Sequence, residues 1–191
     1  MKSTKHKGFT LLEMIVVLGI FGIMTSITVF NYSKFRSQTV LTNMAYEVAL
    51  SVREAQIYGV SVRNPNGINA SQGFSYPYGI NFIEGSSTYN LFADSFGGGN
   101  GRADCSENEC VTPYTMQRNI FVSGLRKKIN STCTDVTELN VMYRRPNPET
   151  IFDNLQNAEF AEVEILAPDG DLRYILIRSN GQIEVKGNSE C

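Results

Sequence analysis

Beyond residue 8 the chain has no histidine; its one imidazole, His6, lies in the first few residues. That absence removes the usual general base for a serine or cysteine nucleophile and the commonest nitrogen ligand for zinc. Triad hydrolase and most zinc-enzyme readings therefore lose their main component. Carboxylate chemistry alone is left to a catalytic reading, and the chain reads as non-enzymatic. The phosphate-cradling pattern G-x-x-x-x-G-K-S/T is missing, and there is no internal repeat. Net charge is also scarce, at −2 overall. The first eight residues hold Lys2, Lys5 and Lys7 and no acid. Without those three lysines, the 17 basic and 19 acidic side chains become 14 and 19, a balance of about −5. A mature chain of that sign argues against broad electrostatic capture of nucleic acid.

What is present is a long apolar run. Phe9 to Phe30, FTLLEMIVVLGIFGIMTSITVF, contains 22 residues and one charge, Glu13. As a helix it spans roughly 33 Å, enough to cross a hydrocarbon core of roughly 30 Å. The lysines before it favour a cytoplasmic N-terminus, although Lys34 and Arg36 follow on the far side. A secretory signal peptide has a shorter apolar region closed by an Ala-x-Ala type site. Here no such site closes the run, and a Gly8-Phe9 junction precedes it, so cleavage at Gly8 would keep the helix as an anchor. Gly19 and Gly22 inside the run suit close helix packing or a local weak point. No proline stands near Phe30, so no sharp kink is expected.

The segment KGFTLLEMIVVLGIFGIM resembles the N-terminal signature of type IV prepilins and type II secretion pseudopilins. The resemblance implies cleavage between Gly8 and Phe9 by an inner-membrane prepilin peptidase and N-methylation at Phe9. It also implies insertion into a helical filament of other pilins or pseudopilins by an inner-membrane assembly platform. Glu13 becomes the fifth mature residue. A carboxylate inside an apolar helix costs about 2.5–3.5 kcal/mol and needs a partner. The new Phe9 amine lies four residues away on the same helix face and can pair with Glu13 within a chain or between neighbours. In the resembled family the pairing is with an adjacent subunit, which implies a register role for Glu13. The alternative is a helix-end carboxylate near lipid headgroups.

Past the membrane, Leu41, Met44, Ala45, Val48, Val52 and Ala55 keep a helical stripe, so the helix should continue from Phe9 to about Ser61. Asn64-Pro65-Asn66-Gly67 then ends it. Alternating runs at 78–83, 88–93, 120–125, 138–143, 161–167, 172–178 and 182–186 read as strands. Turn signals at Pro168–Asp171 and Ser179–Gln182 make the last three an antiparallel meander. The expected organisation is a leader at 1–8, the membrane half of the helix at 9–30, its amphipathic half at 31–63 and a β-rich head at 64–191. The fold class is α+β: a long N-terminal helix packed against an antiparallel sheet. The helix, the YGINF and STYNLFAD segments and the terminal hairpins resemble H-type minor pseudopilins.

The head offers three candidate sites. Cys105, Cys110, Cys133 and Cys191 are an even set on the side expected to lie outside the cytoplasm, which favours disulfides. Three pairings are open. Pairing 105 with 110 and 133 with 191 is favoured, because it staples a short loop and pins the chain end. Asp94, Asn100, Asp104, Glu107 and Glu109 supply hard oxygens for calcium, but their spacing departs from the D-x-D-x-D-G loop and a solvated acidic loop is the simpler reading. Arg126-Lys127-Lys128 and Arg144-Arg145 are the dense basic clusters, read either as a DNA-capturing patch or as solvated strand ends. The combined reading is a structural, minor subunit of a type II secretion pseudopilus or type IV pilus, requiring no cofactor. It would be single-pass in the bacterial inner membrane, among lipid, with its head outside the cytoplasm. The alternative is a pilus-tip binding module for DNA uptake or adhesion.

Overall fold

A computed structural model describes residues 8–61, 76–95, 100–153 and 158–191. The turn expected at Asn64–Gly67 and most of the following link lie outside those residues. The chain divides into two compact units, residues 1–39 and 40–191, and helix α1 (Leu11–Val60) contributes to both.

The helix starts at Leu11, two residues later than the apolar run suggests. Thr10 acts as its N-cap: the Glu13 amide donates to Thr10 Oγ1 at 3.3 Å, and Thr10-Leu11-Leu12-Glu13 has the T-x-x-E form of a capping box. At the other end the helix stops at Val60, where the Ser61 amide and hydroxyl donate to the carbonyls of Ile57 and Tyr58. In the first unit Leu11–Val29 has a mean hydropathy of 2.1, and none of it is buried within the chain.

The second unit is the head. Leu41, Met44, Ala45, Val48, Val52 and Ala55 are buried along one stripe of α1. They meet two five-stranded antiparallel sheets in one core. The strands are β1 (Tyr78–Ile83), β2 (Thr88–Ala93), β3 (Cys110–Thr115), β4 (Phe121–Ile129), β5 (Thr132–Asp135), β6 (Glu138–Arg144), β7 (Asn147–Phe152), β8 (Ala158–Leu166), β9 (Leu172–Arg178) and β10 (Ile183–Lys186). One sheet runs β3-β2-β1-β6-β7 and the other β10-β9-β8-β4-β5. The period-2 alternation of strands sends Tyr78, Ile80 and Phe82 inward, with Leu139, Val141 and Tyr143 beside them. Val163, Ile165, Ile175 and Ile177 do the same for the second sheet.

The last three strands form the expected meander, and Gly170 and Gly181 supply the positive φ that its two turns require. The sequence pattern did not divide the strands between two sheets, and it did not show β3, β5 or β7. All three are edge strands. They carry little alternation because one side lacks a neighbour, and Pro113 and Pro148 occur where only an edge tolerates a missing donor. Gly59 marks a close helix–sheet approach: a Cβ there would lie 2.4 Å from the Tyr143 carbonyl oxygen.

Candidate functional site

At the N-terminal end, Phe9 and the apolar side chains from Leu11 to Val29 are exposed. The polar groups in this stretch are mostly satisfied by the helix itself. Thr25 Oγ1 donates to the carbonyls of Phe21 and Gly22 at 2.9 and 3.0 Å, Ser26 Oγ to Gly22 at 2.9 Å, and Thr28 Oγ1 to Thr25 at 2.8 Å. Such bonding is what lipid demands, because no water is present there to hydrate a free hydroxyl. Gly19 and Gly22 have open space where a Cβ would stand. Glu13 differs from the hydroxyls. Its backbone is capped by Thr10, yet among the described residues no ion pair reaches its carboxylate. The T-x-x-E spacing, which the sequence reading passed over, places Glu13 in the first turn, where the helix dipole favours a negative charge.

The five candidate calcium ligands fall in a loop over the outer face of the first sheet. Glu109 is fully buried, and its two oxygens accept from the amides of Ser95 at 2.7 Å and Asp104 at 3.0 Å. Asp94 Oδ2 accepts from the Gly101 amide at 3.0 Å, and Asn100 Nδ2 donates to Asp104 Oδ2 at 2.8 Å. Glu107 is exposed in a short 3-10 turn, Cys105–Glu107. Both oxygens of Glu109 and Oδ2 of Asp94 thus hold the loop's own backbone. Among the described residues no group of three or more His, Cys, Asp or Glu side chains is placed to hold a metal ion. Burial pushes the Asp94 carboxyl above the ordinary range, with Glu109 adding to the rise and the bond from Gly101 opposing it. The loop is seated by Asn140, whose Oδ1 accepts from Asn81 Nδ2 at 2.9 Å and from the Ala103 amide at 3.3 Å. Neither asparagine carried a sequence signal.

The four cysteines are joined as Cys105–Cys110 and Cys133–Cys191, with Cα separations of 4.8 and 5.7 Å. The first closes the loop just described. The second ties the chain end to β5. Because β10 and β5 are opposite edges of the second sheet, residues 187–191 must cross its whole outer face. Gly187 and Asn188 bend as the tail leaves β10. Glu162 of the central strand anchors it. This carboxylate is 1% exposed and accepts from Arg126 Nη1 at 2.8 Å, Ser189 Oγ at 2.7 Å and the Glu190 amide at 2.7 Å.

The two basic clusters have different surroundings. Arg126 pairs with Glu162, Glu164 and Asp135, Lys127 with Asp153 at 2.5 Å, and Lys128 with Glu159 at 3.5 Å. Acids of β5, β8 and the turn after β7, together with Glu159, thus neutralise that cluster. Arg144 and Arg145 instead line a cavity together with Asn147, Glu149, Ser179 and Asn180.

With this geometry in hand, the comparisons bear on the N-terminal end. Residues 3–29 match the family model described as the prokaryotic N-terminal methylation motif. The match supports the type IV pilin and pseudopilin family, whose members are structural subunits rather than enzymes. It implies processing by a peptidase and assembly with other pilin subunits, and with the apolar helix it is consistent with membrane anchoring. One long helix on antiparallel sheets is a pilin-like α+β arrangement. No curated protein and no solved structure matches the chain.

Proposed function

We propose that the chain is a non-enzymatic minor subunit of a type II secretion pseudopilus or type IV pilus, closest in kind to the H-type minor pseudopilins. It is cut between Gly8 and Phe9, methylated on Phe9, and held in the bacterial inner membrane by Leu11–Val29 with its head outside the cytoplasm. The observation that carries this reading is Glu13: a single carboxylate at the start of a helix that is apolar and exposed all round, four residues from the amine that cleavage would create. In the uncut chain no ion pair among the described residues reaches that carboxylate, whereas the Phe9 amine that the cut creates, its own or a neighbouring subunit's, would be a partner. The two disulfides support an oxidising compartment for the head.

The test is co-expression with a prepilin peptidase followed by mass spectrometry of the purified chain. The expected product begins at Phe9 and carries one added methyl group. An intact leader, or a cut beyond the apolar run, would sink the proposal. A second reading, a binding module at a pilus tip, is favoured by one observation, the cavity lined by Arg144 and Arg145.

A further inference from the structure

Opposite the stripe that α1 buries in the head core lies a second apolar stripe, formed by Tyr46, Leu50, Ile57 and Val60. The first three are each more than half exposed. The helix is fastened along the β9–β10 hairpin at two places. Arg173 Nε, at the start of β9, donates to Thr42 Oγ1 at 3.2 Å, and Gln56 Nε2 donates to the Gly181 carbonyl in the turn at 3.3 Å. The exposed stripe accordingly runs beside β10, the outer strand of its sheet. A cavity of about 350 Å³ is lined by Tyr46, Leu50 and Ile183, and another of about 570 Å³ by Ile57, Val60 and Asn180. Arg53, Gly181 and Gln182 line both, so the two form one groove. The register shows which backbone groups of β10 face it. The Arg178 amide donates to the Gln182 carbonyl at 2.8 Å, so that pair is hydrogen-bonded. Bonded and unbonded pairs alternate along an antiparallel ladder, which makes Ile177–Ile183 and Ile175–Val185 the unbonded ones. The amides and carbonyls of Ile183 and Val185 therefore point away from β9, and β10 pairs with no other strand among the described residues. Pro113 in β3 and Pro148 in β7 remove donors at the edges of the other sheet, whereas β10 keeps all of its amides.

We propose that the groove takes an extended segment of a partner protein, apolar at alternate residues, which adds to the open edge of β10 as a further strand. Its backbone would pair with Ile183 and Val185, and every second side chain would cover Tyr46, Leu50 and Ile57. A helix laid on the stripe would cover the same side chains but leave the edge of β10 unmatched, because its own backbone groups are already bonded within it. Glu184 and Lys186, on the outer face of β10, are engaged with Arg178 and Glu190, so the recognition rests on backbone and apolar contact. The β10 strand of a second copy is too short for the role. It has four residues, about 13 Å, whereas the stripe from Tyr46 to Val60 is about 21 Å long and calls for six or seven extended residues. The site lies within residues 46–186, so it stands or falls independently of how the N-terminus is processed.

The experiment uses the full chain in uncharged detergent micelles, with empty micelles as the blank, and reads fluorescence anisotropy. One probe is a labelled peptide of about seven residues alternating valine and threonine, a length set by the stripe. The other is the same peptide N-methylated at every backbone amide, which keeps the side chains but donates no hydrogen bond. The first is expected to bind, and the second to bind on the order of tenfold more weakly. Val185→Pro, which removes an edge amide, and Leu50→Asn, which removes apolar cover, should each lower affinity for the first peptide on the order of tenfold. Arg102→Ala should leave it unchanged. Leu50 is exposed, so its variant keeps the test open should the proline variant fail to fold. Equal binding of the two peptides, binding untouched by the Val185 and Leu50 changes, or no binding would each overturn the proposal. Self-association of the chain that excludes the peptide and disappears with Val185→Pro would overturn it in favour of a second copy.

Discussion

The apolar stretch Leu11–Val29 and the head Val40–Cys191 satisfy their polar groups by opposite means. In the stretch, the hydroxyls of Thr25, Ser26 and Thr28 turn back onto carbonyls one turn earlier, so the helix is nearly self-sufficient. In the head, polar groups are satisfied across long sequence separations: Tyr114 donates to Glu54 at 2.7 Å, Arg173 to Thr42 at 3.2 Å, and Glu162 gathers three donors. The contrast is sharpest between two carboxylates. Glu162 is buried and fully partnered by its own chain, while Glu13 sits in an apolar helix with no ion pair among the described residues. A self-sufficient helix needs nothing from its neighbours except at the one group it cannot satisfy. That group is where assembly can be specified.

The comparison can be broken first at Glu13. Glu13→Leu should leave membrane insertion intact, since it removes a cost of about 2.5–3.5 kcal/mol, yet reduce incorporation into filaments by an order of magnitude or more in a crosslinking assay. Normal incorporation would show that the carboxylate has no register role. Next in size is the chain end. Cys133→Ser should cost about 2–4 kcal/mol in denaturant unfolding of the full chain in micelles, because the bridge closes a loop of 58 residues and holds the tail over Glu162. An unchanged unfolding midpoint would mean that the polar contacts of Ser189 and Glu190 hold the tail without the bridge.

Gly59→Ala tests helix–sheet contact in the head and should cost about 1–3 kcal/mol, as the new methyl meets the Tyr143 backbone. A neutral result would show that α1 can lift from β6. A smaller effect of opposite sign is expected at Asp94. Its carboxyl holds its proton more tightly folded than unfolded, so the native state is favoured below the ordinary carboxylate range and loses that advantage as pH rises through the raised native value. Asp94→Asn should therefore raise the unfolding midpoint at neutral pH and flatten that pH slope, while its side-chain oxygen still accepts from Gly101. A lowered midpoint at neutral pH would mean that the ionised form is the one the loop needs. Smallest of all is Thr25→Val, expected to change stability by no more than about 0.5 kcal/mol, because the lost hydroxyl bonded only to its own helix. A larger loss, read from protease protection in liposomes, would give Thr25 an intermolecular contact.

Sequence legibility followed the same division. The anchor helix and the central strands β1, β2 and β9 were readable because each depends on neighbours within a few residues. The edge strands β3, β5 and β7 were not, since exposure and proline erase the alternation that marks a strand. At the candidate sites, the spacing of the cysteines could favour a pairing but could not show that the last five residues cross an entire sheet. The acidic loop was read as solvated, with calcium ligation as the lesser alternative. Only the fold showed Glu109 and Asp94 turned onto backbone amides.

By itself the sequence marked a basic segment ahead of a Gly-Phe junction, a span long and apolar enough for lipid with one carboxylate in it, and an α+β fold. These are consequences of composition and short-range period, which act wherever the chain goes. Tertiary structure alone decided which groups each charge meets. Two basic clusters alike in sequence met different surroundings: strand register brings Glu162 and Glu164 beside Arg126 and the turn after β7 brings Asp153 to Lys127, whereas Arg144 and Arg145 line a cavity with Ser179 and Asn180. Partners that far apart in the chain meet only after the sheets have formed, and that is a property no local pattern carries.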